Sequence, residues 1–280
     1  MYGHLDKQPE MQGWNDGLGP WKPVIEGDKL YGRGGADDGY AMFAATAVVR
    51  SLQDQNIDHP RIIILIEFSE ESGSPDLPFY MDHCSSLIGE PNLVVCLDSG
   101  AQNYEQFWTT TSLRGLIGCT VRVDVLNEGV HSGSASGVVP SSFRVLRQLL
   151  SRLEDEKTGE IILDDLVVDI PERRIEDINK MVDELAGEFD QFPWYESMKS
   201  TTDDPVEGTL RQTWRPALSV VGMDGVPAVK DGGNVLRPYT EVKLSMRIPP
   251  TLDKEIAVQA MNKALILLVI NENNEISSAK

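Results

Sequence analysis

At 280 residues, with 41% hydrophobic and 25% charged residues, the chain is long enough for one large domain or two small ones and can bury a core. Its 44 acidic and 25 basic residues leave a net charge of −19, which repels phosphate backbones and anionic lipid, so nucleic acid and membrane are not expected partners. The longest apolar runs, at 61–66 and 264–270, are too short to span a bilayer. No basic, apolar and small-residue leader opens the chain. Cys84, Cys96 and Cys119 form no CxxC pair, and so sparse and odd a set argues against a disulfide framework and points to the reducing cytoplasm.

In chain order, polar chemistry begins at once in Met1-Tyr-Gly-His-Leu-Asp6, a kind of segment that usually follows a strand. The other end, 271–280, is polar and expected to fray, so both ends read as those of a fragment. Between them, Tyr40 to Leu52 is Ala-rich with apolar residues at helical spacing. Arg61 to Phe68 and Asn92 to Leu97 are nearly unbroken apolar runs, the pattern of strands buried on both faces of a parallel sheet. Residues 1–112 therefore predict an α/β domain.

Past Arg114 the texture changes, and a boundary is expected near residue 113. Cys119, Val121, Val123 and Val125 alternate with polar residues as in a half-buried strand. Pro140-Ser-Ser opens a predicted helix with Phe143, Leu146, Leu149, Leu150 and Leu153 as its stripe. A polar stretch follows, with a helix expected near Glu176 to Phe189. Val242, Leu244, Met246 and Ile248 alternate again, and Leu252-Asp253 starts a last helix. Residues 113–280 thus predict an α+β sandwich with one solvated sheet face.

Four clusters carry candidate chemistry. His4 and Asp6, two apart, would share a face of a strand, letting Asp6 fix one ring nitrogen and leave the other for a metal; alone, such a pair is more often a surface turn. Gly32-Arg-Gly-Gly-Ala-Asp-Asp38-Gly39 leads into a helix, and one of Asp37 and Asp38 is expected to be its N-cap. The glycines match neither a P-loop nor a dinucleotide fingerprint. Glu70-Glu71 follows the first apolar run directly, at the sheet edge where α/β domains place ligands, though a solvated turn would also accommodate them. Asp98 ends the second run. His4, Asp37, Glu71 and Asp98 then form a donor set suited to zinc, or to manganese as second choice, with Glu70 free to accept a proton from water.

These motifs, Tyr2-Gly-His-Leu-Asp-Lys-Gln-Pro9, Leu30-Tyr-Gly-Arg-Gly-Gly-Ala-Asp-Asp38 and Ser69-Glu-Glu-Ser-Gly73, resemble the M20 family of co-catalytic metallopeptidases, and within it the carnosinase-like and bacterial dipeptidases. The resemblance implies a three-layer, mostly parallel catalytic domain, incomplete here, interrupted by a ferredoxin-like lid and dimerisation domain. It implies two zinc ions: His4 and Asp98 on one, Glu71 on the other, Asp37 bridging both, Asp6 orienting His4, and Glu70 as general base. His131, before Ser132-Gly133, is similar to the lid histidine that stabilises the oxyanion in the partner subunit's site. Asn234 matches a substrate-contacting loop, and Arg247 an arginine that grips the substrate's terminal carboxylate, although a solvated strand arginine is its plain alternative.

Two departures follow from the resemblance. Gly39-Tyr40 stands where many relatives have Lys-Gly, and none of His59, His83 or His131 matches the histidine that completes the second metal site. The implied activity is metal-dependent hydrolysis of dipeptides or N-acyl amino acids by a homodimer, impaired in this stretch alone. A deacylase on the same scaffold, or a non-catalytic dimerisation module, are the alternatives. Trp14, Trp21 and Trp194 could line the specificity pocket but are as well explained by packing.

Overall fold

In this computed structural model, all residues are described except 102, 104, 186, 267, 271–275, 279 and 280. The chain divides into two compact units, Met1–Trp108 and Thr109–Lys280. In order, the first holds β1 (Tyr2–His4), β2 (Val24–Glu26), β3 (Lys29–Tyr31), α1 (Tyr40–Asp54), β4 (Leu65–Glu67), α2 (Leu77–His83) and α3 (Ser85–Ile88). The second holds β5 (Gly115–Asp124), β6 (Val130–His131), α4 (Ser132–Ala135), α5 (Ser142–Leu150), α6 (Glu172–Lys180), α7 (Pro205–Thr213), β7 (Ala217–Asp224), β8 (Val235–Leu236), β9 (Tyr239–Ile248), α8 (Lys254–Leu265), β10 (Leu268–Ile270) and β11 (Ile276–Ser278).

In the first unit β1 is central. It pairs in parallel with β4, and on its other side bridges to Cys96, with Tyr2 N–H donating to Val95 O and Leu97 N–H to Tyr2 O, both near 2.9–3.0 Å. The parallel arrangement agrees with the apolar runs, but the strands are shorter than those runs predict. Only 65–67 of the first run is strand, and 62–66 are half-buried. In the second run Leu93 and Val94 are exposed. An apolar run becomes a doubly buried strand only where layers cover both faces. Here helix α1 covers β1 through Ala41 and Ala45, and no comparable cover reaches 92–94 among the described residues.

The second unit is a three-stranded antiparallel sheet in the order β5–β9–β7, with α5 and α8 packed on one face. Its connections run β-α-β-β-α, the order of a split β-α-β arrangement. Val242, Leu244, Met246 and Ile248 are all buried against Leu146, Leu149, Leu153, Ala257 and Met261, as the period-two and helical patterns require. Phe143 is exposed and not part of the α5 stripe. It is the second residue of a helix starting at Ser142, with Leu146, Leu149 and Leu153 setting the buried face. The helix expected over 176–189 lies earlier, at Glu172–Lys180, opening just after Pro171. Of the polar run at 271–280, only 276–278 is described, and it pairs with 268–270; the rest lies outside the described residues.

Candidate metal centre

The site is built at the C-terminal end of β1. Gly3 lets helix α1 approach closely: a Cβ there would collide with Ala41 Cβ and lie 2.6 Å from Asp38 Oδ2. Next to it His4 is fully buried, and its backbone N–H donates to Asp38 Oδ2 at 3.1 Å. This corrects the N-cap expectation. Helix α1 is preceded by Gly39 with no side-chain cap, and Asp38, fully buried, satisfies the strand instead. Burial raises the Asp38 pKa, only partly offset by that N–H. Asp37 and Asp38 sit in a five-residue turn, Gly35–Gly39, closed by Gly39 N–H to Gly34 O at 2.9 Å. The αL conformation of Gly34 (φ +71°) makes that closure accessible.

Around the His4 ring the acids converge. Nε2 lies 3.2 Å from Asp37 Oδ1, 3.8 Å from Glu70 Oε2 and 3.9 Å from Asp98 Oδ2. On the other side Nδ1 lies 3.3 Å from Asp6 Oδ1 and 3.2 Å from Asp6 O. Asp6 thus meets the ring nitrogen away from the acid cluster, and it also binds the turn after β4. Its Oδ1 accepts Glu70 N–H at 3.2 Å and its Oδ2 accepts Glu71 N–H at 2.9 Å. Glu71 in turn accepts from Gln8 Nε2 through Oε2, while its Oε1 is buried with no hydrogen-bond partner.

Electrostatics follow from this crowding. Burial pulls the His4 pKa down, but Asp98, Glu70, Asp6 and Asp37 together outweigh it and leave the pKa raised. Burial, then Asp98, push the Glu70 pKa up, and His4 only partly opposes them. Such a carboxyl group holds a proton more readily than an ordinary glutamate.

A cation fits these residues. His4 Nε2 is buried without a hydrogen-bond partner, and one donor atom from each of His4, Asp37 and Asp98 lies within 4.8 Å of the others. An imidazole nitrogen facing converging carboxylates is a donor set for a divalent metal. Glu71 stands outside that trio, held by Gln8.

His131, Asn234 and Arg247 lie in the second unit. His131 ends β6, is exposed, and accepts Gly133 N–H through Nδ1 at 3.2 Å. Strand β6 pairs with β8, setting His131 opposite Val235, and Ser132 N–H donates to Asn234 O at 3.0 Å. His131 and Asn234 are therefore neighbours. Arg247 is exposed on β9, opposite Leu116 and Ala217, and forms no ion pair among the described residues. Trp21 is exposed with its indole N–H on Glu10, and Trp194 donates to Phe189 O at 2.8 Å.

Sequence reasoning missed Gln8, Lys7 and Asp38. Gln8 shares the alternation of His4 and Asp6, the one signal that could have found it. A second, part-buried network was also missed. Tyr2 OH and Ser74 Oγ both donate to Glu67 Oε1, the latter at 2.9 Å.

The sequence matches the description "Peptidase family M20/M25/M40" over residues 1–278. Among curated relatives, the Cys-Gly metallodipeptidase DUG1 of Saccharomyces cerevisiae is 27% identical over 94% of this chain and 55% of its own length. The Beta-Ala-His dipeptidase of Mus musculus is 25% identical over 98% of this chain and 56% of its own length. The chain thus spans about half the length of these relatives. The solved structure of yeast di-peptidase Dug1p superposes with a TM-score of 0.74 at 26% identity, over 94% of this chain and 56% of that one. The M20 family metallo-carboxypeptidase Sso-CP2 from Sulfolobus solfataricus, at 22% identity and a TM-score of 0.75 over 94% of this chain and 60% of that one, shares the fold. With the motifs, the acid–imidazole cluster and a match running through residue 278, the chain belongs to peptidase family M20/M25/M40.

Proposed function

We propose that this chain carries the metal-binding core of a hydrolase that cleaves dipeptides or N-acyl amino acids bearing a free terminal carboxylate. The observation that carries the reading is the buried, unpartnered His4 Nε2 facing Asp37, Glu70 and Asp98. The names of the relatives, a Cys-Gly metallodipeptidase and a Beta-Ala-His dipeptidase, favour dipeptides.

In this reading His4 and Asp98 hold one zinc ion, Asp37 is shared, and Glu71 turns toward a second ion. Zinc bound there supplies Lewis acidity toward a carbonyl and lowers the pKa of water. Asp6 keeps the imidazole in one tautomer through Nδ1. Glu70, with its raised proton affinity, takes a proton from water and returns it to the departing amine. His131 accepts Gly133 N–H through Nδ1, which leaves Nε2–H to donate to an oxyanion in the partner subunit's site. Arg247 pairs with the substrate carboxylate. Arg114, its pKa lowered by burial and then by Arg247, marks a second guanidinium nearby.

The second unit acts as the lid and homodimer contact. Its edge strand β7 exposes Val220, Val221 and Met223, an apolar edge suited to a second copy. All three cysteines are free, in keeping with a cytoplasmic enzyme. No helix among the described residues is long and apolar enough to cross a membrane.

Because Glu71 stands apart from the trio, the chain is expected to bind one zinc tightly and to cleave dipeptides slowly. Zinc titration, with Cys-Gly and β-Ala-His cleavage followed by mass spectrometry with and without chelator, tests this. Absence of micromolar zinc binding, or cleavage indifferent to chelator and to His4→Ala, would overturn it. Sedimentation tests the dimer.

A further inference from the structure

Lys7, one residue beyond Asp6, sends its side chain beneath the glycine turn that carries Asp37 and Asp38. A Cβ on Gly34 would collide with Lys7 Cδ and Cε and lie 2.7 Å from Nζ, and one on Gly39 would lie 3.4 Å from Nζ. The lysine methylenes therefore occupy the space that Gly34 leaves open, and a larger residue at 34 could not share it. The ammonium is shut off from solvent and has no hydrogen-bond partner among the described residues.

A buried ammonium without a partner is costly unless the surrounding field offsets it. That field comes from Asp6, next to Lys7 in the chain, from Asp37 and Asp38 on the turn above it, and from Glu70 and Asp98, which face the same imidazole as Asp37, each beyond ion-pair distance of Nζ.

We propose that Lys7 is the resident counter-charge of the metal centre: it stabilises the acid-bearing turn when no cation is bound, and opposes the cation when one arrives. This rests on reading the cluster as a metal site. The sign distinguishes it from packing. Lys7 attracts the carboxylates but repels a dication, so removing its charge while keeping its length should weaken the metal-free fold and tighten metal binding. A side chain that merely fills the turn would do the reverse, since loosening the turn scatters the ligands.

The test compares the full 280-residue chain with Lys7→Met, measuring melting in chelator and zinc affinity by competition with a chromophoric chelator. The expected result is a lower metal-free Tm with zinc bound about tenfold more tightly. Unchanged or weaker zinc binding by Lys7→Met overturns the proposal. If the parent chain binds no zinc, the metal reading itself fails, yet the chelator melts still decide: equal Tm values for parent and Lys7→Met overturn the counter-charge role. Should Lys7→Met prove too unstable to purify, the pair Lys7→Met with Glu70→Gln, which removes one charge of each sign, should fold, and its failure to do so also overturns the proposal.

Discussion

The carboxylate of Asp6 accepts the backbone N–H of Glu71 at 2.9 Å while its other oxygen faces His4 Nδ1 at 3.3 Å. One side chain therefore fixes both the imidazole at the end of β1 and the turn after β4. Two elements that are neighbours only through the sheet are tied together at the point where their side chains meet.

Asp6→Ala should loosen both at once. Zinc affinity is expected to fall about 10- to 100-fold, the usual consequence of losing a group that orients a ligand. Competition against a chelator of known affinity measures it, and an unchanged zinc affinity would show that Asp6 orients nothing.

Glu70→Gln separates activity from stability. The folded protein holds this proton more tightly than the unfolded chain does, so ionising Glu70 at neutral pH weighs against folding. In chelator at pH 7 the variant should melt slightly higher than the parent, and the gain should vanish near pH 4, where the carboxyl is protonated in both states. Dipeptide cleavage should meanwhile drop about 10²- to 10⁴-fold. A variant that melts lower at pH 7 would contradict the burial and like-charge argument.

Gly3→Ala tests the close approach of β1 and α1. The new methyl would collide with Ala41 Cβ and crowd Asp38 Oδ2 at 2.6 Å, so either the helix or the strand must move. Overpacking of this kind costs about 1–3 kcal/mol. Denaturant unfolding should show that loss, and the displaced His4 should bind zinc more weakly. A fully stable variant would mean the contact relaxes freely.

In the second unit Glu207 accepts Arg215 Nε at 2.8 Å and Arg211 Nε at 3.0 Å through Oε1, and Arg215 Nη2 at 2.9 Å through Oε2. Arg215 first, then Arg211, hold its pKa below the ordinary glutamate value against the pull of burial. A depressed carboxylate pKa stabilises the fold above the unfolded value, and that stability is lost as pH falls through the folded one. Glu207→Gln should therefore cost about 1 kcal/mol at pH 7 and progressively less below about pH 4. Urea melts at the two pH values check it, and an equal cost at both would point to packing rather than charge.

Much of this was legible in the chain. Helix α1 follows from the Ala-rich spacing of 40–52, and β9 from the alternation of Val242, Leu244, Met246 and Ile248. Strand β7 was not read, because its register shifts between Val220 and Gly222, and a bulge breaks the period-two pattern on which such a reading depends. The lengths of the parallel strands were misread for another reason: an apolar run records what a segment can bury, while the layers packed against it fix how much is buried.

By itself the sequence singled out His4, Asp37 and Asp98, the three residues whose donor atoms the fold brings within 4.8 Å of one another, because an imidazole and carboxylates at the ends of apolar runs have few other uses in company. It also determined the helices whose periodicity is local. Only the tertiary structure decided that Asp38 serves the His4 backbone rather than capping α1, that Gln8 holds Glu71, and that Lys7 runs under the glycine turn. Those are contacts between segments tens of residues apart, set by how the main chain closes on itself, and no local pattern of side chains encodes them.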